Sequence, residues 1–93
     1  MATVQVRLPT VLRPAAQGQS QVSVDGDAVG QIVDQLISTY PDLGGNLVDE
    51  EGQVRKFVNI YLNDEDIRFL EKLETQVADG DELAILPAVA GGQ

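Results

Sequence analysis

The sequence predicts an α+β fold in which a single amphipathic helix covers one face of a mixed β-sheet. Near the start of the chain, apolar residues alternate with polar ones, which is typical of a strand with one buried face, and near its end residues 83–87 form an apolar, strand-like run. Between these strands, residues 29–40 repeat their apolar positions at helical spacing. A length of 93 residues suits one domain with one modest core. We place this domain at residues 1–87 and a flexible tail at residues 88–93.

The first half of the chain predicts two strands joined by a loop. Residues 4–8 alternate apolar and polar side chains and are expected to form the first strand. A loop over residues 9–18 follows, with proline near its start and glycine at its end. The second strand is predicted at residues 22–24 and stops at the turn-forming pair of residues 25–26.

The helix is the clearest element of the sequence. Its apolar face consists of Val29, Ile32, Val33, Leu36, Ile37 and Tyr40. Asp27 is the predicted N-cap, because its short carboxylate can accept a free backbone N–H of the first turn. Pro41 ends the helix, since proline lacks the N–H that a further turn would need.

The second half of the chain predicts three more strands. Residues 46–48 form either a loop or a brief helical turn between glycine-rich and acidic stretches. The strongest strand covers residues 57–62, which are rich in β-branched and aromatic side chains. A turn leads into a short strand at residues 67–69, and an irregular stretch or single turn at 71–77 precedes the last strand at 82–86.

The predicted order of elements is β-β-α-β-β-β, with four to five strands in one mixed sheet. The packing that suits this order places the helix on one face and leaves the other face partly open. This is a β-grasp, or ubiquitin-like, architecture. The last strand is expected at the centre of the sheet, because residues 4–8 and 83–86 are the most apolar ends of the chain.

Charge and composition exclude several classes of function. Six basic and fifteen acidic residues give a net charge of −9, which repels nucleic acid and anionic membranes and favours a partner with a basic docking surface. The chain has neither histidine nor cysteine, so the commonest general base, the thiolate nucleophile and the ordinary zinc ligands are absent. We therefore predict no catalytic residue and no bound metal or cofactor. Without a membrane span or signal segment, the expected location is cytoplasmic.

Most of the acidic residues occur in turn-like stretches, where carboxylates are usually solvated. These residues are Asp25, Asp27, Asp49, Glu50, Glu51, Asp64, Glu65, Asp66, Asp79, Asp81 and Glu82. Residues 63–66 and 79–82 resemble calcium loops superficially, but neither spreads its ligands over the roughly twelve positions of an EF-hand. We interpret both segments as hairpin-type turns.

The last residues of the chain carry the strongest functional signal. Ala90 is followed by paired glycines, Gly91 and Gly92, which have no Cβ to obstruct passage through a narrow opening. Such a tail can carry its own terminal carboxylate into the active site of another protein. A frayed terminus is the alternative, and tail composition alone favours it.

Four segments taken together favour a functional tail over a frayed terminus. They are residues 7–14, 57–69, 78–81 and 85–92. In this order and over nearly the whole chain, they resemble the ThiS/MoaD family of β-grasp sulfur carriers, and within it the CysO type. The paired glycines are weak evidence by themselves. The tail combined with the long segment 57–69 makes the resemblance specific.

The resemblance implies a carrier that acts through its terminal glycine. In this family an E1-like adenylyltransferase/sulfurtransferase uses ATP to adenylate the carboxylate, here that of Gly92, and converts it to a thiocarboxylate. Ala90 and Gly91 would form the slender part of the tail. A carrier of the CysO type gives its sulfur to an O-phosphoserine-using cysteine synthase, and a JAMM-type zinc peptidase then releases the product.

One residue departs from the family pattern. Gln93 follows Gly92, so the chain as written has no terminal glycine to activate. We favour removal of Gln93 by a peptidase, for which the JAMM-type enzyme is the obvious candidate. Gln93 could instead be foreign to the natural protein, or could mimic the product state by standing where the new cysteine would be attached.

The resemblance also suggests where a partner contacts the domain. In this family the E1-like enzyme docks on the open face of the sheet and an adjoining loop, and Arg13, Leu62 and Leu86 align with the usual contact positions. Core packing is an equal alternative for the two leucines. A solvated loop charge is an equal alternative for Arg13.

Other functions stay open at the level of sequence. The acceptor pathway is favoured to be cysteine biosynthesis, but molybdopterin, thiamin or thiosugar synthesis is chemically possible. A ubiquitin-like protein modifier would share the fold and the tail. A β-grasp binding module would carry Gly91 and Gly92 incidentally and would bind its partner without them. A small enzyme is the least favoured class, because no nucleophile–base pair is visible.

Overall fold

The computed structural model describes residues 2–51, 53–54 and 58–87. Its five strands are β1 (Ala2–Arg7), β2 (Gln21–Gly26), β3 (Val58–Leu62), β4 (Glu65–Asp66) and β5 (Glu82–Pro87). They form one mixed sheet in the order β2-β1-β5-β3-β4. The main helix, α1, spans Val29–Thr39, and a four-residue helix, α2, spans Gly44–Leu47. The predicted β-grasp architecture is confirmed.

The last strand lies at the centre of the sheet, as the sequence predicted. On one side β5 runs parallel to β1, with Val6 opposite Leu83. On the other side it runs antiparallel to β3, with Ile60 opposite Ile85. The first and last strands therefore lie side by side in the middle of the sheet, where their core-facing residues Val4, Val6, Leu83 and Ile85 are fully buried.

The core lies between the sheet and α1. The helix buries Val29, Ile32, Val33 and Leu36, which are four of the six residues predicted for its apolar face. Alternate residues of β1, β2, β3 and β5 point to the same core, as the period of two in a strand requires. The buried strand residues are Val4, Val6, Val22, Val24, Val58, Ile60, Leu62, Leu83 and Ile85.

The start of α1 differs from the sequence prediction. Ala28, not Asp27, occupies the N-cap position, in an extended conformation with no side-chain cap. Ala28 instead forms an isolated antiparallel bridge with Gln76, and the N–H of Val29 donates to the carbonyl of Thr75 at 2.9 Å. A backbone carbonyl distant in sequence thus satisfies a first-turn donor in place of the predicted side-chain cap. The prediction of Asp27 as the N-cap was wrong.

The predicted loop at residues 9–18 contains a 3-10 helix at Thr10–Ala16. Leu12 and Ala16, four residues apart, are both buried and hold this segment against the core. Gln17 then takes a left-handed conformation with φ of 62°, which ends the helix. Two apolar anchors were too few to produce a helical pattern in the sequence.

The strand predicted at residues 67–69 is displaced. The turn at Asn63 and Asp64 has positive φ at both positions, 50° and 73°, which is the geometry of a two-residue hairpin turn. The strand β4 therefore begins directly after it, at Glu65–Asp66. Residues Ile67–Phe69 form a 3-10 helix instead, because the Asp66 carboxylate accepts the backbone N–H of Arg68 at 2.9 Å and caps it.

The remaining elements agree with the sequence. The short helix α2 corresponds to the brief helical turn proposed as one alternative for residues 46–48. A single 3-10 turn at Lys72–Glu74 lies within the stretch predicted as irregular. The third strand is described from Val58, and Phe57, its predicted first residue, lies outside the described residues.

Candidate functional site

The candidate site is the end of β5, where the chain leaves the sheet toward its C-terminus. The described ladder reaches Pro87, which stands opposite Val58 of β3. The tail residues Ala90, Gly91, Gly92 and Gln93 lie outside the described residues, so their predicted roles stay predictions. The structure does establish that the tail begins from the middle of the sheet, at a strand that is paired on both sides.

The segment that follows β1 lies at the same end of the sheet, because β1 and β5 are parallel. Arg13 belongs to the 3-10 helix of this segment and is half-buried. Its Nε donates to the carbonyl of Leu8 at 3.3 Å, which fixes the side chain to the end of the first strand. Val11 of the same helix is 70% exposed and adds apolar surface. Arg13 is thus a tethered cation at the end of the sheet from which the tail departs.

The two leucines predicted as partner contacts have different environments. Leu86 lies on the face of the sheet opposite α1, beside Asn59 of β3, and is 46% exposed. Leu62 is only 8% exposed and belongs to the core opposite Leu83. The structure therefore favours core packing for Leu62, whereas Leu86 offers apolar surface one residue before the end of β5.

A hydrogen-bonded group beside Leu86 was not foreseen from the sequence. Asp66 is only 7% exposed, so the prediction of a solvated turn carboxylate was wrong for this residue. The Arg68 Nε lies 3.2 Å from both Asp66 carboxylate oxygens, and its Nη2 donates to Asp66 Oδ2 at 2.8 Å. The same Nη2 donates to Oδ1 of Asn59 at 2.8 Å. These contacts hold the half-exposed guanidinium in one orientation on the open face of the sheet.

The ion pair changes the acidity of both partners. Hydrogen bonds from Arg68 to the carboxylate hold the pKa of Asp66 below its ordinary value, and burial opposes this only in part. The same hydrogen bond raises the pKa of Arg68. At neutral pH the pair is therefore fully ionised. The only available sequence signal was the spacing of Asp66 and Arg68, two residues apart directly after a hairpin turn.

The sequence lacks two residue types that often carry chemistry in proteins. Neither histidine nor cysteine occurs in the sequence. Within residues 2–51, 53–54 and 58–87, no cluster of three or more acidic side chains is arranged to hold a metal ion. In the same part of the chain, no helix is long and apolar enough to cross a membrane.

Comparison with known proteins shows the family to which the chain belongs. The sequence pattern of the ThiS family matches residues 6–92, from the first strand to the second glycine of the tail. The chain belongs to the ThiS family. It is 48% identical over 91 residues to the sulfur carrier protein CysO of Mycobacterium tuberculosis, covering 96% of this chain and 98% of that protein. The family resemblance drawn from residues 7–14, 57–69, 78–81 and 85–92 is confirmed.

A solved structure and a further relative extend this comparison. The CysO in the BexX/CysO complex of Amycolatopsis orientalis superimposes with a TM-score of 0.87 at 46% identity, covering 96% of this chain and 99% of that one. Small archaeal modifier protein 3 of Haloferax volcanii is 39% identical over 70 residues, covering 74% of this chain and 75% of that protein. The relatives of this ThiS family member are named as carriers and modifiers, which supports the prediction that the chain is not itself an enzyme.

Proposed function

We propose that this ThiS family protein is a sulfur carrier whose reactive group is the carboxylate of Gly92. The observation that carries the proposal is the extent of the family match, which covers residues 6–92 and therefore ends at Gly92, one residue before Gln93. The similarity to a protein named as a sulfur carrier extends over nearly the full length of both chains and supports the same function. Cysteine biosynthesis is the favoured destination of the sulfur, because the similarity is to a carrier of the CysO type.

The chemistry needs an activating enzyme, since a carboxylate is a poor electrophile. An E1-like adenylyltransferase would join the Gly92 carboxylate to the α-phosphate of ATP and release pyrophosphate. A sulfide equivalent would then displace AMP and leave a thiocarboxylate on the carrier. ATP is a substrate of the partner in this scheme, and the carrier binds no cofactor of its own.

The geometry of the domain supports delivery of the tail to such a partner. Beyond Pro87, five residues to Gly92 can extend at most about 17 Å. This length suits a carboxylate that enters a covered active site while the domain stays outside. Leu86, Arg68 and Arg13 would supply an apolar contact with charged neighbours for docking, which is the usual composition of a small protein interface. The complex of a related CysO with BexX supports the general reliance on partner proteins.

Gln93 must be removed before Gly92 can be activated in this scheme. A JAMM-type zinc peptidase is the proposed processing enzyme, because cleavage after Gly92 is the reaction that would also release cysteine from the loaded carrier. An O-phosphoserine-type cysteine synthase is the proposed acceptor of the sulfur. Both enzymes are partners that bind the tail and not permanent subunits.

Intact-mass spectrometry tests the proposal. The 93-residue chain and a chain that ends at Gly92 are each incubated with the E1-like enzyme, ATP and a sulfide source. The shorter chain should gain the mass difference between sulfur and oxygen, and the longer chain should not. Reactions without the E1-like enzyme serve as the control, and neither chain should consume ATP in them. Sulfur incorporated at the carboxylate of Gln93 in the untrimmed chain would rule out the assignment to Gly92.

A second function is favoured by one specific observation. The similarity to small archaeal modifier protein 3 suggests that the activated tail could also be transferred to lysine side chains of other proteins. Such conjugation forms an isopeptide bond between the Gly92 carbonyl and a lysine Nζ, with loss of the activating group. Affinity purification of the tagged chain from cells, followed by peptide sequencing, would detect lysine-linked adducts. A protein that serves only as a sulfur carrier would give thiocarboxylate without such adducts.

A further inference from the structure

The strand β2 is an edge of the sheet whose outer side faces away from β1. The N–H of Leu8 donates to the carbonyl of Ser20 at 2.9 Å, which makes these two residues a hydrogen-bonded pair. Hydrogen-bonded and non-hydrogen-bonded pairs alternate along an antiparallel ladder. Gln21, Ser23 and Asp25 are therefore non-hydrogen-bonded positions, and their backbone N–H and C=O groups point away from β1, toward an edge at which no other described strand pairs.

A second hydrogen bond supports this assignment independently. Gln5 stands opposite Ser23, yet its N–H donates to the carbonyl of Asp81 at 3.0 Å. The backbone of Gln5 thus points toward β5 and away from β2, as a non-hydrogen-bonded pair requires. The outer side of β2 consequently presents three donors and three acceptors at alternate residues, which is the template for one more strand.

A groove runs beside this edge, between β2 and α1. It encloses about 310 Å³ and is lined by Ser23, Val24, Asp25, Gln35, Thr39 and Tyr40. The Tyr40 ring is held in place, because its hydroxyl accepts from Nε2 of Gln19 at 2.7 Å. Polar side chains at its rim and the buried Val24 at its base allow the groove to receive alternate side chains of an extended peptide.

Charge specifies the kind of peptide. Residues 14–54, which include β2 and α1, contain no lysine and no arginine. The acidic residues of this segment are Asp25, Asp27, Asp34, Asp42, Asp49, Glu50 and Glu51. A basic peptide would be attracted to this side of the molecule, whereas a second copy of the chain would bring the same negative charge to the same edge.

We propose that the outer edge of β2 and its groove bind an extended, basic segment of a partner protein by strand addition. The site goes beyond the sulfur-carrier function, because it involves neither the tail nor the exposed face around Leu86. The strand β1 separates it from β5. A partner held at β2 would therefore leave the tail accessible to the enzymes that act on it.

Nuclear magnetic resonance of the ¹⁵N-labelled full chain tests the proposal. The probe is a peptide of about ten alternating valine and lysine residues with blocked ends, long enough to pair with the whole of β2. The largest chemical-shift changes are expected at residues 21–26 and 35–40. A peptide with glutamate in place of lysine should not bind. A peptide with N-methyl groups at alternate residues should also fail, because it keeps the charge but cannot form the ladder.

Two charge-reversed variants provide a matched comparison. Asp25→Lys and Glu65→Lys each change the net charge from −9 to −7, but Glu65 lies on β4 at the opposite edge of the sheet. Asp25→Lys should weaken binding about tenfold, and Glu65→Lys should change it by less than about twofold. Ser23→Pro removes one outward donor at a position where an edge strand tolerates proline, and should also weaken binding. Thermal melts establish that each variant is folded.

Several results would overturn the proposal. One is the absence of binding by the valine–lysine peptide, and another is equal binding by its N-methylated form, which would show non-specific attraction. Equal effects of Asp25→Lys and Glu65→Lys would show that net charge alone decides. A dimer in sedimentation equilibrium that Ser23→Pro dissociates would show that a second copy of the chain occupies the edge. If Ser23→Pro fails to fold, the peptide controls and the charge pair still decide the question.

Discussion

Truncation of Ile32 tests the packing on which the whole architecture depends. Ile32 has an exposed fraction of 0% and lies at the end of the first turn of α1. Its fit against β2 is tight, because a Cβ added at Gly26 would lie 2.9 Å from the Ile32 Cδ1 atom. The surroundings leave little room for neighbouring side chains to refill a cavity at this position.

The expected cost follows from the atoms removed. Ile32→Ala deletes three carbons, which corresponds to about 2.4 kcal/mol of lost transfer free energy. The cavity adds about 1–2 kcal/mol, and the better helix propensity of alanine returns about 0.4 kcal/mol. The free energy of unfolding should therefore fall by about 3–4 kcal/mol. Ile32→Val removes one carbon and should cost about 1 kcal/mol. Ile32→Asp should cost more than either, since it buries an unpaired charge.

Urea unfolding followed by far-ultraviolet circular dichroism measures these differences, because the chain has no tryptophan to report by fluorescence. The matched control is Ile37→Ala, the same change in the same helix at a half-buried position. It should cost about 1–2 kcal/mol. Equal losses at the two positions, or a loss below about 1 kcal/mol for Ile32→Ala, would refute the packing of α1 against the sheet.

Three further predictions concern an ion pair, a helix contact and the tail. Arg68 lowers the pKa of Asp66 in the folded state below its unfolded value of about 3.9. The ionised carboxylate therefore stabilises the fold at pH values above about 3.9. This stabilisation is lost as the pH falls through the lower, folded-state pKa. Asp66→Asn should therefore flatten the loss of stability below about pH 4 in urea titrations at a series of pH values. Gly30→Ala should lower the melting temperature, because the new Cβ would lie 3.0 Å from the carbonyl oxygen of Leu73. This effect should outweigh the higher helix propensity of alanine, and a raised melting temperature would contradict the contact. Gly92→Val should leave the melting temperature unchanged and abolish thiocarboxylate formation in the mass assay; thiocarboxylate on this variant would argue against a narrow entrance.

The sequence predicted those parts of the fold whose pattern is local. Residues 4–8 alternate apolar and polar side chains, residues 83–87 form an apolar run, and the helix repeats its apolar face, so each element was visible within one short stretch of sequence. The start of α1 was not predictable in this way. Its first-turn N–H is satisfied by the carbonyl of Thr75, which is distant in sequence and adjacent only in the fold. The position of β4 was predicted two residues too late. The turn was expected to occupy residues 63–66, whereas it consists of Asn63 and Asp64 alone.

The candidate site likewise contains some residues that the sequence indicated and others that only the fold brings together. Leu86 and Arg13 were singled out from the resemblance, and the structure places both toward the end of the sheet where β5 terminates. The burial of Leu62 could not be distinguished from exposure by sequence, since both alternatives use an apolar residue in a strand. The group of Asp66, Arg68 and Asn59 was missed because it requires the pairing of β3 with the segment after the hairpin turn. The roles of the tail residues rest on the resemblance alone.

The central position of β5 has a mechanical consequence. A pull on the tail acts along the axis of β5, which is held by β1 on one side and by β3 on the other. The hydrogen bonds on both sides are then loaded in shear, so they share the force and must fail together. A strand at the edge of the sheet, pulled away sideways, would instead release its bonds one after another. An enzyme that pulls on the tail therefore works against the hydrogen bonds of two ladders at once.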